Sequence, residues 1–255
     1  MKIFKPFEEL NSKNKSAITF SWLILLITFW TICSFGEVHL FPTPRQVGQG
    51  FVDLWNKGLV VHLYSSIGLC AKSVLYSVII SLIFAYLTTI PFFKSVGVFI
   101  SKLRFLPLTG ITFYISILIN SARDIQVWVL VVFMSTFLIT SLVQMIKDIP
   151  EEEFQHARTL GCNRWEILWE VVIVGRVDYV FELVRQNLAI VWMMLVSVES
   201  ILMAAGGLGT LIKNGDKIGS NGKVIALQII IILVGIALDF ILTKLRKLIF
   251  RYSNF

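Results

Sequence analysis

Six continuous apolar runs dominate this 255-residue chain, at residues 17–35, 66–90, 105–119, 127–146, 179–205 and 224–242. A helix needs roughly 20 apolar residues to cross the hydrocarbon core of a bilayer. The run at 105–119 is shorter, but Ser121 and Ala122 extend it before Arg123 and Asp124. The runs are unbroken rather than alternating, which excludes barrel strands and leaves helices as the only spanning form. Six transmembrane helices are therefore expected in an all-α membrane protein. Hydrophobic residues make up 56% of the chain, charged residues only 15%, and mean hydropathy is +0.79. A soluble domain of this size would need far more charge to cover its surface.

Charge placement predicts orientation. The net charge of +7 is not one basic tract, which argues against nucleic acid as a partner; Lys and Arg cluster at the ends of the apolar runs. With the N-terminus inside, fifteen of them fall on the inner side, against six outside: Arg45, Lys57, Arg123, Lys213, Lys217 and Lys223. The positive-inside rule then gives an N-in, C-in topology with a polar inner leader over 1–16. The first run lacks a small-residue cleavage pattern, so it reads as a retained helix. Cys33, Cys70 and Cys162 are too scattered for a disulfide framework.

One water-exposed island interrupts this pattern, between residues 147 and 176. Pro150 with Glu151, Glu152 and Glu153 suits a helix N-terminus, where Pro loses no hydrogen bond and carboxylates meet the positive dipole end. Ala157 and Gly161 are small and four residues apart, so they are expected to let a partner surface approach one helix face. Arg158 and Arg164 would reach acidic groups of that partner, with His156 beside them. The bland alternative is an ordinary loop helix with a C-cap at Gly161.

Four short elements, in order, carry a family resemblance. They are Phe41-Pro-Thr-Pro-Arg-Gln-Val47, Leu103-Arg-Phe-Leu-Pro-Leu108, Asp148-Ile-Pro-Glu-Glu-Glu-Phe-Gln-His-Ala-Arg-Thr-Leu-Gly161, and Glu199 followed by Gly207-Leu-Gly209. Together they resemble the permease subunits of nitrate/sulfonate/taurine-type ABC importers, over about residues 41–247. The third resembles the loop that docks onto the ATPase. Departures are Gln155 at its leading Glu, His156 and Ala157 at its small positions, and no proline between Val171 and Val177.

The resemblance implies a single permease domain over 1–255 with a type I importer bundle, in the bacterial cytoplasmic membrane. It implies a cytoplasmic ABC ATPase that binds ATP, an extracytoplasmic solute-binding protein, and a second permease copy, most simply a homodimer. The cargo would be a small solute, with nitrate, sulfonate, taurine or bicarbonate as the anionic candidates. The coupling residues would be Glu153, His156, Ala157, Arg158, Gly161 and Arg164.

Asp178, Arg185, Trp192 and Glu199 recur every seven residues, which makes one slanted stripe on a helix, with Glu182 within i,i+3 reach of Arg185. Ionisable groups at membrane depth usually face a bundle interior or a wet cavity. Glu182, Arg185, Trp192 and Glu199 are thus expected on a translocation pathway; the alternative is a Glu182–Arg185 pair that fixes packing. Gly206, Gly207 and Gly209 predict a tight turn or re-entrant bend. Lys72 is expected to snorkel or to pair with an acid.

Catalysis finds little support. His39, His62 and His156 make no metal-ligand spacing, and no Walker A sequence is present, so neither catalytic residues nor a bound cofactor or metal is expected. The rival readings are a non-transporting membrane subunit and, more remotely, a membrane-embedded enzyme.

Overall fold

A computed structural model describes residues 12–34 and 42–250. The leader residues Lys2 and Lys5, the chain break at Phe41, and His39 lie outside the described residues. All the regular structure described is helical.

Helix α1 covers Ser12–Ser34, and α2 covers Pro44–Asn56. Thr43 starts α2 with a full capping box, its hydroxyl taking the Gln46 amide while the Gln46 side chain takes the Thr43 amide. The stretch from Gln46 to Leu59, whose pattern suits an amphipathic helix with Trp55 at its edge, is helical from Pro44 to Asn56. Val47, Gly50 and Leu54 are its buried face, and Trp55 is exposed. Where α2 crosses the start of α11 (Asn221–Ile249), a Cβ on Gly50 would lie 2.8 Å from the Gly222 carbonyl. Two backbones touch there, which only glycine permits.

Helices α3 (Leu59–Leu87) and α6 (Ala122–Lys147) form the central pair. Ser77 Oγ donates to the Val131 carbonyl at 3.3 Å, and Ser81 Oγ to that of Ser135 at 3.5 Å. Both bonds link residues the same distance apart in sequence, so the two helices run parallel. Buried Ser66, Ser73, Ser77 and Ser81 give α3 a face of small side chains, which lets helices approach closely where no hydrophobic driving force operates. Ser77 Oγ also donates to the Ser73 carbonyl of its own helix at 2.7 Å, while Ser73 Oγ is buried without a hydrogen-bond partner. Leu130, Met134, Leu138 and Leu142 of α6 pack into the same core.

Because α3 and α6 point the same way, the chain between them must travel back. It does so through α4 (Lys94–Lys102) and α5 (Leu108–Leu118), which meet at a bend of 110°. Pro107 forces the break, since it cannot continue a helix. Helix α5 has 11 residues, about 16 Å of rise, too short to cross a bilayer alone. The span expected at 105–119 is thus corrected to half of a bent pair.

Helix α9 runs over Val177–Ile201 and packs antiparallel to α11: Trp192 Nε1 donates to the Ile231 carbonyl at 3.0 Å, and Arg185 reaches forward to Asp239. Between α9 and α11 the short helix α10 (Leu208–Lys217) folds back against α9. By length and apolarity four helices suit membrane crossing: residues 16–34 of α1, then α3, α6 and α11, or five if the α4–α5 pair counts as one. Helix α9 is long enough, but Asp178, Glu182, Arg185 and Glu199 lower its hydropathy. The chain is an all-α, multi-pass membrane protein.

Candidate functional site

The polar island forms a compact helical elbow. Helix α7 spans Glu151–Thr159 with Pro150 at its N-cap and three glutamates in its first turn. It closes in a Schellman motif, with the Cys162 amide donating to the Ala157 carbonyl at 3.2 Å and the Gly161 amide to that of Arg158 at 3.0 Å. Gly161 holds φ at +81°, and a Cβ there would meet nothing within 4 Å. Its glycine answers the left-handed backbone, not a close approach. Ala157 is buried within the chain at 6% exposure. Of the two small residues, Ala157 is covered within the subunit, while Gly161 ends the helix with open space beside it.

After Gly161 the chain turns into α8 (Arg164–Ile167), where Asn163 and Glu166 make a second capping box. A π-helical stretch, Leu168–Ile173, and a 3-10 turn, Val174–Arg176, then lead into α9. The region lacking the family's prolines is thus helical, and its pitch changes absorb the bend. Glu153 is engaged by Arg176, which ties α7 to the base of α9, and Arg158 pairs with Glu151 at 3.3 Å. His156 and Arg164 remain exposed. So do three large apolar side chains that motif reading passed over: Leu160 (70%), Trp165 (66%) and Trp169 (58%). On a surface this charged, such a group of apolar side chains suits a partner's pocket.

At the far end of the bundle, Glu199 anchors the glycine bend. Its carboxylate accepts from Ser66 Oγ at 2.7 Å and from the Gly209 amide at 2.9 Å, and Ser66 Oγ in turn accepts the Leu208 amide at 3.0 Å. His62 Nδ1 accepts the Gly207 amide at 3.2 Å. A carboxylate thus satisfies orphan amides at the N-terminus of α10 and meets its positive dipole end. Gly206 and Gly207 hold φ of +76° and +115°, and a Cβ on Gly207 would fall 2.1 Å from the Glu199 carboxyl. A Cβ on Gly209 would fall 2.1 Å from the Val196 carbonyl. The bend is as expected. Glu199, expected on a pathway, is wholly buried inside the subunit and pins α3, α9 and α10 together.

The rest of the α9 stripe also meets its own subunit. Arg185 binds Glu182 at 2.6 and 3.1 Å and also engages Asp239, while Arg246 binds Glu182 at 2.7 Å. Two cations and two carboxylates make a neutral cluster joining α9 to α11. Asp239 and Arg246 lie some 50 residues or more from their partners in sequence, so pattern reading reached only Glu182 and Arg185. Trp192 is buried and edges Gly235, whose added Cβ would lie 3.2 Å from its ring. Arg185 and Trp192 nevertheless border an open groove of about 600 Å³ between α9 and α11, floored by Leu188, Ile232 and Ile236. Among the described residues no group of His, Cys, Asp or Glu gathers to hold a metal.

No protein-family model matches the chain. The taurine transport system permease TauC of Escherichia coli is 23% identical in an alignment covering 88% of this chain and 85% of that one. The nitrate import permease NrtB of Leptolyngbya laminosa is 24% identical, covering 84% and 81% respectively. The membrane chain of the methionine ABC transporter MetNI superposes with a TM-score of 0.64 at 14% identity, covering 74% of this chain and 94% of that one. By sequence likeness and by fold, this chain resembles the permease subunits of ABC importers. An importer permease is a transport subunit rather than an enzyme. In this chain, the α7–α8 elbow stands where the sequence resembles the ATPase-docking loop of such permeases, and the Glu199 anchor holds the opposite end.

Proposed function

We propose that the chain forms the transmembrane path of a bacterial importer for a small solute, driven by a separate cytoplasmic ATPase. The observation that carries this reading is the α7–α8 elbow, a rigid, doubly capped helical corner tied to α9 through Glu153–Arg176 and topped by exposed Leu160, Trp165 and Trp169. ATP-driven motion of the docked ATPase would pass through that tie into α9, and from α9 into α10 and α11.

The proposed topology has six crossings with both termini cytoplasmic: α1, α3, the α4–α5 pair, α6, α9 and α11. The parallel run of α3 and α6 supports it, since it obliges α5 to carry the chain back. A second copy of the permease would complete the pathway, with the α9–α11 groove beside Arg185 and Trp192 as its candidate lining. An extracytoplasmic binding protein would deliver the solute, and the named relatives point to taurine-like or nitrate-like anions.

Reconstitution with the cognate ATPase and binding protein tests the reading. ATP-dependent solute uptake is expected, together with labelling of a cysteine at position 153 from the ATPase side only. Labelling of that cysteine from outside intact cells, or tight assembly with no uptake, overturns it.

A further inference from the structure

Among the described residues, the cavity between α3 and α6 is lined by more cationic than anionic side chains. Its walls include Tyr64, Lys72, Tyr76, Arg123, Asp124 and Trp128, around a volume of about 460 Å³. Arg123 is fixed in place: its guanidinium donates to the Ser65 carbonyl and, at 3.1 Å, to Gln126 Oε1. Gln126 is wholly buried and donates to the Leu202 carbonyl at 3.0 Å, so this end of the cavity is keyed into the helix core. Lys72 makes no ion pair with any described residue. The charged groups facing the cavity are thus two cations, Lys72 and Arg123, against one carboxylate, Asp124.

Depth narrows the ligand. Lys72 lies 13 residues into the 29-residue α3, about 20 Å along its axis from the start and about 22 Å from the end. A lysine stem cannot snorkel that far, and an ionised group facing hydrocarbon at mid-depth is costly. The α9–α11 cluster holds two cations and two carboxylates and is neutral; the α3–α6 cavity is not. We propose that the α3–α6 cavity is a binding site for a small anion, with Arg123 at one end, the exposed Lys72 further along α3, and the stacked Tyr76 and Trp128 rings (6.2 Å between centroids) as its wall. An anionic lipid headgroup shares the chemistry, but Lys72 lies below headgroup depth, so the ligand is a free anion. Its meaning for import rests on the permease reading; its occupancy does not.

The test uses the full chain in phosphatidylcholine nanodiscs without ATPase or binding protein, so it reads the site whether or not the chain transports. Fluorescence quenching by iodide is measured, and the Trp128 share is taken as the difference from Trp128→Phe. Iodide should quench that share at least threefold less in Lys72→Gln, and Lys72→Arg should restore it, while neutral acrylamide quenches all three equally. In the unmutated protein, chloride should relieve the quenching and gluconate should not, a readout that needs no variant to fold. Equal iodide quenching in Lys72→Gln and the unmutated protein, or no relief by chloride, overturns the site. Loss of iodide quenching when phosphatidylglycerol is added to the nanodisc would make the occupant a lipid headgroup and overturn the free-anion assignment.

Discussion

Glu199 accepts the backbone amide of Gly209 at 2.9 Å, ten residues further along the chain. One carboxylate therefore closes the turn between α9 and α10, and through Ser66 it also holds α3. The bend is tight because the four successive amides from Gly206 to Gly209 each find a partner and its glycines leave no side chain in the way.

That geometry makes Gly207→Ala costly. The φ of +115° strains any L-residue by about 1–3 kcal/mol, and the new methyl would strike the Glu199 carboxyl. Thermal unfolding in detergent should shift down by several degrees, whereas Gly48→Ala, with open space around its Cβ, should unfold as the unmutated protein does.

Arg185 is expected to behave as a pin between helices. Arg185→Gln leaves Asp239 unpaired and Glu182 with Arg246 alone. Membrane abundance and thermal stability should fall together, by about 1–2 kcal/mol after discounting for the partial exposure of the cluster. A variant with normal abundance and altered solute preference would instead place Arg185 on the pathway.

The elbow should lose its partner when its apolar tip is removed. Trp165→Ala and Leu160→Glu leave the Asn163–Glu166 capping box and the Arg176 tie intact, so the subunit should fold and insert. Affinity for the ATPase should fall at least tenfold, which is about 1.4 kcal/mol, as measured by pull-down titration. Gly161→Ala should disturb the same association by another route, since it strains the helix stop at φ +81°.

Acid should loosen α2. The Lys223 ammonium, 2.8 Å away, holds the Asp53 carboxyl below the ordinary carboxylate range by hydrogen bonding and charge. A folded pKa below the unfolded one gives a contribution that is full above about pH 4 and fades as pH falls through the folded value. Protease nicking within residues 44–56 should rise at low pH. Asp53→Asn should show that faster nicking already at neutral pH, with little further response to acid.

Much of this fold was legible without coordinates, because a bilayer imposes constraints that act locally. Apolar length marks a crossing, the Pro150–Glu153 pattern starts a helix, and three glycines mark a bend. Each depends on residues close in sequence. The short third run misled in one respect: hydropathy sees apolar length, but Pro107 and the parallel set of α3 and α6 decided that the return path is broken.

Only tertiary structure decided which polar residues are free and which are already spoken for. The seven-residue stripe on α9 was visible, yet whether Glu199 meets solute or serves a glycine turn depends on Ser66, 133 residues away. Arg185 finds its second carboxylate on α11, and Ala157 is covered by its own elbow. Lys72 shows the converse: expected to snorkel or to pair with an acid, it lines a cavity and makes no ion pair with any described residue. A one-dimensional pattern names the face of a helix; what that face touches is set by how the other helices pack, and that is a long-range property of the fold.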